Sequence, residues 1–327
     1  MARARDLRGG ENGAQRGTAI APGRGVNVAL LNLEGGTLAR GVARPAEVAA
    51  ALREVGVVAD VRAVPGHMLP AATREAIAAG ASMVIAGGGD GTVNAVAGAL
   101  AGSDATLGVL PLGTFNHFAR DLGMPQELHA AAAALAAATP QCVDLAEVNG
   151  HRFLNHSSLG YYSQVVRERA EPRVRNRFMK VAVTLAAAVR LLGKYRLSEV
   201  SLEVDGGRLA RSTPLVFVSN NPGAMHLFNF GQRPRLDTGQ LLVFVHRSTS
   251  RSAVLRTLLY AALRDIREDD RYDHWLTSEL LVEYGERRRP VSVYLDGELL
   301  RLAPPLRYRI LPGRLNVAMP PRPPPMA

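Results

Sequence analysis

Between residues 26 and 110, short apolar runs alternate with stretches whose apolar side chains recur at helical spacing, and this alternation constrains the fold more than any other feature of the chain. Residues 26–32 (VNVALLN) suit a buried parallel strand. A helical pattern follows at 45–56, with Val48, Leu52 and Val55 on one face, then a second strand at 57–64 and a helix at 71–79. Residues 82–86 (SMVIA) read as a third strand, 93–100 as a helix and 107–110 as a fourth strand. Strand–helix repeats of this kind predict an α/β fold with a doubly wound parallel sheet.

From about residue 143 the pattern changes. Asn149-Gly150, Asp205-Gly206 and Asp296-Gly297 each lie between two alternating runs, the signature of tight hairpins. Helical patterns at 177–193 and 251–266 interrupt this strand-rich half. A chain of 327 residues accommodates two domains. The expected organisation is a basic, disordered leader at 1–25, an α/β domain at 26–142, a mostly antiparallel domain at 143–319 and a proline-rich tail at 320–327. The single cysteine, Cys142, excludes an intrachain disulfide framework and a cysteine-built zinc cluster. Its place between an Ala-rich stretch and Val143 predicts a small buried side chain rather than a nucleophile.

The third strand runs straight into AGGGDGTVNAV, residues 86–96. Glycines at such a place allow backbone angles and close approaches that a side chain forbids. Strand, glycine-rich turn and helix together make a phosphate site, because backbone N–H groups and the positive end of the helix converge there. The sequence is neither GxxxxGK[ST] nor GxGxxG, so the two commonest nucleotide fingerprints are absent. Asp90 and Thr92 add a carboxylate and a hydroxyl at the helix start, and Asn94 follows. The competing reading is a tight turn in which Thr92 merely caps the helix. Residues 107–125 (LGVLPLGTFNHFARDLGMP) repeat the arrangement, and Gly113, Thr114 and Asn116 can serve the same ligand if the third and fourth strands are neighbours.

In this order, Gly88-Gly89-Asp90-Gly91-Thr92-x-Asn94 and Pro111-x-Gly113-Thr114-x-Asn116-x-Phe118-Ala119 resemble the two signatures of the diacylglycerol kinase catalytic-domain family, and the likeness extends over about residues 26–319. NAD kinases and sphingosine kinases share the superfamily; the NHFARDLG continuation is closer to the lipid kinases. The resemblance implies ATP and Mg²⁺ as cofactors, an ATP-binding α/β domain, a C-terminal β-sandwich and an acceptor cleft between them. It implies nucleotide contacts from Gly88, Gly89, Asp90, Gly91, Thr92, Asn94, Gly113, Thr114 and Asn116. It also likens Leu295-Asp296-Gly297-Glu298 to the element that carries the family's general base. Glu298, Asp296 and Asp90 are therefore the catalytic candidates, and the choice between Asp296 and Glu298 as base stays open. Without the resemblance, a carboxylate on a hairpin turn reads as solvated.

The chain departs from the family pattern at several positions. Ala95 stands where the family usually has Glu, His117 where it commonly has Asp, and Val64 where a threonine is frequent. The early Asn-Pro-x-Ser-Gly loop is reduced to Asn32-Leu33-Glu34-Gly35-Gly36. Arg235-Leu236-Asp237-Thr238-Gly239-Gln240 resembles the structural magnesium loop, with Asp237 as candidate metal ligand and Thr238 at the second acidic position. One carboxylate fewer weakens a hard-cation site.

The expected activity is phosphorylation of the hydroxyl of diacylglycerol or a related lipid. The alternatives are a sphingoid-base or NAD kinase, and a nucleotide-binding regulator with degraded chemistry, for which Ala95, Val64 and Thr238 speak. The formal charge of +10 suits an anionic partner. Nine Arg/Lys against two Glu between Ser163 and Arg196 suit either a helix lying on an anionic bilayer or a helix with a wet basic rim. No aromatic–basic alternation supports base stacking, so no stable nucleic-acid partner is expected. No apolar run reaches the roughly 18 residues that span a bilayer, and the leader lacks a signal-peptide core. The chain is expected in the cytoplasm, peripheral at the inner face of the membrane when it meets lipid, alone or as a homodimer.

Overall fold

Four parallel strands form where the apolar runs place them: β1 (Asn27–Asn32), β2 (Ala59–Val64), β3 (Met83–Gly88) and β4 (Thr106–Pro111), in the order β2-β1-β3-β4. The computed structural model describes residues 26–34, 44–160, 198–204, 206–223, 233–247, 272–284 and 289–321. The leader at 1–25, the helical patterns at 177–193 and 251–266 and the basic stretch between 163 and 196 lie outside them. β3 and β4 are buried at every residue, as strands covered on both faces must be. Three helices make the crossovers, α1 (Pro45–Glu54), α2 (Leu69–Ala78) and α3 (Asp90–Leu100). α1 turns Val48, Ala51 and Leu52 inward, and its Glu47 side chain accepts the Arg44 N–H at 3.0 Å to close the helix start. Because β1 is flanked by β2 on one side and β3 on the other, the chain reverses its winding direction there. A crevice opens between the C-terminal ends of β1 and β3.

After β4 come α4 (His117–Asp121) and α5 (Leu128–Ala136), then the long strand β5 (Thr139–Val148). β5 pairs with the last strand, β16 (Leu306–Met319), which also runs parallel to β4. These two strands serve both halves. Val143 and Leu145 of β5 and Leu315 and Val317 of β16 enter the core of the parallel layer, whereas Ala146, Val148, Leu306 and Ile310 enter the second core. The register of the pair shifts between Leu311 and Leu315, around Gly313 at φ 57°. The boundary expected between 142 and 143 thus lies inside β5, and residues 315–318 return to the first core.

The remaining strands are antiparallel. β6 (His151–Phe153), β8 (Ser198–Val204), β9 (Gly207–Thr213) and β13 (Glu279–Glu283) extend the first sheet beyond β16 and β5. A second sheet has the order β12-β11-β10-β7-β14-β15. Its strands are β7 (His156–Gly160), β10 (Leu215–Asn220), β11 (Leu241–His246), β12 (Tyr272–Thr277), β14 (Val291–Leu295) and β15 (Glu298–Leu302). The sheets close on a core that includes Leu159, Val216, Val243, Val293, Leu202 and Tyr308. The fold is therefore α/β with a parallel-sheet N-terminal part and a mostly antiparallel part after it. Asn149-Gly150 and Asp296-Gly297 turn tight hairpins with φ of 46° and 86°, and of 44° and 106°. Positive φ at both central residues is what such turns require.

Cys142 departs from expectation: it is exposed, and its Sγ donates to Asn316 Oδ1 at 3.2 Å. β6 joins β5 only from Ala146 onward, so the start of β5 is a sheet edge with residues 140–142 open to solvent. Among the described residues no helix is long and apolar enough to cross a membrane.

Candidate active site

The two glycine-rich turns meet at the C-terminal rim of β3 and β4, beside the crevice. Gly88 pairs with Pro111 in the sheet, and Leu112 N–H donates to Gly88 O at 3.0 Å. A Cβ on Gly89 would stand 3.3 Å from Gly113 Cα, and one on Gly113 would run into the Gly89 backbone and come within 2.6 Å of Asn116 Oδ1. The loops therefore touch backbone to backbone. The first N–H groups of α3 have no acceptor within the helix, and its positive end opens onto this rim.

Gly89, not Thr92, is the N-cap of α3. Thr92 is buried, and its Oγ1 accepts a 3.1 Å hydrogen bond from Asn32 Nδ2 at the end of β1. A Cβ on Gly88 would collide with that threonine. Thr92 thus braces the loop against β1. Asn116 does the same for the second loop. It sits at φ 52°, with Oδ1 accepting Gly113 N–H at 3.0 Å and Nδ2 donating to Pro111 O, Gly113 O and Gln126 Oε1 at 3.0–3.2 Å. Thr114 is exposed at the tip. Asp90 joins the loops, its Oδ1 accepting Phe118 N–H of α4 at 3.2 Å. Asn94 turns toward the other half, where Nδ2 donates to Arg152 O at 3.4 Å.

The β14–β15 hairpin brings two carboxylates to this place. Asp296 is buried, and its oxygens accept the N–H groups of Leu154 at 2.6 Å, Asn155 at 3.0 and 3.2 Å and His156 at 2.8 Å. Glu298 is exposed, and its Oε1 lies 3.8 Å from where a Cβ on Gly91 would be. An acid from the antiparallel half thus stands over the first turn of α3. Burial pushes the Asp296 carboxyl up to about 6, the Asp90 charge adds to this, and the N–H donors oppose it. Burial, Asp296 and Asp90 together push Tyr294 up to about 12. His156 is pushed down to about 3 by burial, then by His117 and Arg233, and stays neutral. It stacks between Phe217 and Tyr294 at 5.3 and 6.1 Å.

The Asp296 shift has a measurable consequence. An acid whose folded value, about 6, exceeds its reference of 3.8 holds its proton more tightly in the native state. It therefore favours folding at low pH, and that contribution is lost as pH rises through about 6. The urea midpoint of the wild type is expected to fall relative to that of Asp296→Asn between about pH 4 and about pH 7. A difference independent of pH would contradict the assignment.

Sequence reasoning missed several residues of this site. In the sequence Asn32 is only the remnant of a loop, yet it holds Thr92. Asn155 and Arg233 carry no signal, because an isolated polar residue reads as solvated until the fold shows it buried; Asp121 stands out only as part of the NHFARDLG stretch, with nothing there to pair it with Arg233. Asn220 and Asn221, which the sequence offers either as the border of a cleft or as a plain turn, lie at the junction: Asn220 Nδ2 donates to Asp144 O and Leu154 O, and Asn221 Oδ1 accepts the Thr238 N–H and hydroxyl at 2.8 and 2.6 Å.

The resemblance implies a resident magnesium ion at the Asp237 loop, and the donor set there does not fit one. Asp237 is paired with Arg235 at 2.9 and 3.2 Å, which holds its carboxyl below the ordinary range. The carboxylate that reaches this loop from β5, Asp144, already accepts Gly239 N–H at 2.7 Å and Gly313 N–H at 2.9 Å. Hard cations need several oxygens with negative charge to spare. Among the described residues no group of three His, Cys, Asp or Glu is placed to hold a metal.

The family model for the diacylglycerol kinase catalytic domain matches residues 28–148. A Pseudomonas putida protein named "Probable lipid kinase YegS-like" is 33% identical over 283 residues, 82% of this chain and 88% of its own length. A protein of the same name from Pseudomonas aeruginosa is 46% identical over 128 residues, 38% of this chain, and that match spans only 40% of the relative. The crystal structure of a diacylglycerol kinase from Bacillus anthracis str. Sterne superposes with a TM-score of 0.64 at 21% identity, covering 90% of this chain and 97% of the other. At that identity the likeness is one of fold.

Proposed function

Because the chain belongs to the YegS-like family built on the diacylglycerol kinase catalytic domain, we propose that it is an ATP-dependent lipid kinase, acting on the hydroxyl of diacylglycerol or a related long-chain alcohol. One juxtaposition carries this reading: the Glu298 carboxylate over the first turn of α3, at the rim where the two glycine loops abut. The parallel-sheet part holds the nucleotide, and the antiparallel part brings the acceptor and the base. The phosphates rest on backbone N–H groups of Gly88–Thr92 and on the exposed Thr114 tip, while Gly113, whose own N–H is held by Asn116, keeps the second loop against the first. Thr92 and Asn116 set the shape of those loops through their side chains, and Asn94 links α3 to the other half. Mg²⁺ arrives with ATP as part of the substrate and neutralises phosphate charge.

In the transfer, the acceptor oxygen bonds to the γ-phosphorus, the bond from that phosphorus to the bridging oxygen breaks, and ADP leaves. The hydroxyl proton passes to Glu298, whose exposed carboxylate is open to an incoming lipid. Asp296 spends both oxygens on three N–H groups, so it fixes the turn that aims Glu298. Asp90 orders the two loops and adds negative charge beside Asp296. The chain's excess of cationic residues supports docking at an anionic membrane surface, where such an acceptor resides.

The test is incubation with labelled ATP, Mg²⁺ and a panel of diacylglycerols, sphingoid bases and NAD. Label in a phosphorylated lipid in the organic phase is expected. Label in a water-soluble product points to NAD or a sugar instead, and tight ATP binding without transfer points to a regulator; either outcome ends the lipid-kinase reading.

A further inference from the structure

Arg233 precedes the Asp237 loop and is buried, with 6% of its surface exposed. Five oxygens from both halves of the molecule converge on it. Its Nε donates to Asp121 Oδ2 at 2.8 Å, its own backbone N–H to Asp121 Oδ1 at 3.0 Å, and Nη2 reaches Asn155 Oδ1 at 2.9 Å. Nη1 donates to Leu154 O at 2.6 Å and Asn220 O at 2.7 Å. Asp121, itself only 9% exposed, closes α4, whose other end gives the Phe118 N–H to Asp90. Leu154 and Asn155 belong to the turn whose N–H groups hold Asp296. One guanidinium therefore ties the second glycine loop to the element that fixes the candidate base.

We infer that Arg233 is a built-in cation at the junction of the two halves, doing there what a resident metal ion would otherwise do, and that it is a positioning residue for the transfer. The chemistry fits. A guanidinium offers five N–H donors in a rigid planar fork, stays charged at every relevant pH and is less strongly hydrated than an ammonium. Around it, both carboxylates at the Asp237 loop are already engaged, one by Arg235 and one by two backbone N–H groups. Oxygen donors that would form a cation cage point instead at a side chain of the chain itself. Removing one member of such a buried pair leaves its partner's charge uncompensated. It also frees α4 to shift against β7, and a displacement of about 1 Å at a reacting centre is enough to cost ~10²-fold in rate.

The positioning role rests on the kinase reading; the metal-independence of the junction does not, and the experiment separates them. First, melting of the nucleotide-free wild type is measured with and without EDTA. No change is expected; a fall in Tm restored by added Mg²⁺ or Ca²⁺ would show that a metal holds the junction and overturn the inference. Second, Arg233→Met is expected to lower Tm by roughly 5–10 °C. Arg233→Lys, which keeps the charge without the fork, is expected to recover only part of that. Third, below both transitions, Arg233→Met is expected to lose ~10²-fold in kcat while its ATP dissociation constant stays near wild type, since the glycine loops are intact. A folded variant with wild-type kcat has no positioning defect and overturns that role. If Arg233→Met does not fold, the nearly isosteric Asp121→Asn carries the same comparison. If no acceptor is phosphorylated by the wild type, hydrogen exchange at the Leu154, Asn155 and His156 amides replaces kcat: faster exchange in the variant supports the coupling, and unchanged protection contradicts it.

Discussion

Glu298→Gln is expected to slow phosphoryl transfer ~10²–10⁴-fold while leaving ATP affinity essentially unchanged. The amide keeps the size and one hydrogen-bonding oxygen of the carboxylate but cannot take the acceptor's proton. Glu298 belongs to β15 and stands over Gly91 of the first loop, so an amide of the same size leaves the loop backbone as it is. Its side chain is exposed and buries nothing, so stability should not move. The loss should therefore appear in kcat alone, which marks an interaction made in the transition state rather than in ground-state binding. Measurement at saturating ATP and lipid settles it. A Glu298→Gln enzyme that keeps near-full turnover would remove the carboxylate from the reaction.

Gly113→Ala is the second large effect. The added methyl would enter the Gly89 backbone and press on Asn116 Oδ1. Neither neighbour can retreat cheaply, since one is main chain and the other is committed to Gly113, Pro111 and Gln126. Forcing a methyl into such a contact costs about 1–3 kcal/mol. If the loops absorb that strain by parting, nucleotide binding weakens ~10–100-fold. Gly98→Ala is the control: this glycine lies within α3, and a Cβ there meets nothing within 4 Å. It should bind ATP like wild type and melt no lower, because alanine favours a helix interior over glycine by about 1 kcal/mol. Titration of ATP into both variants by calorimetry gives the comparison, and equal affinities would mean that the abutting loops are not the phosphate seat.

The sequence made the parallel layer legible because its strands are buried on both faces, so their apolar runs stand out against the helical spacing of α1 and α2. Boundaries slipped where chemistry replaced hydrophobicity: α3 begins at Asp90, before the apolar pattern at 93–100. Three hairpins were legible from their Asn-Gly and Asp-Gly pairs, since few residues accept positive φ. What was not legible depends on distant partners. Nothing near residue 315 indicates that the last strand returns beside β4 and completes the first core. Thr92 and Asn116 were legible as loop members, but their bracing roles depend on Asn32 and Gln126. Arg233 sits in a polar stretch where an arginine ordinarily faces water, and its burial exists only once Asp121, Leu154 and Asn220 surround it. Cys142 misled because burial followed from its apolar neighbours only if β5 had strands on both sides.

The most direct measurement is a crystal structure with a non-hydrolysable ATP analogue and Mg²⁺. The β- and γ-phosphates are expected on the N–H groups of Gly88–Thr92 and beside Thr114, with the γ-phosphorus facing Glu298 and an open path between them for a hydroxyl. Phosphates bound elsewhere, or a γ-phosphorus turned away from the β14–β15 hairpin, would contradict the account.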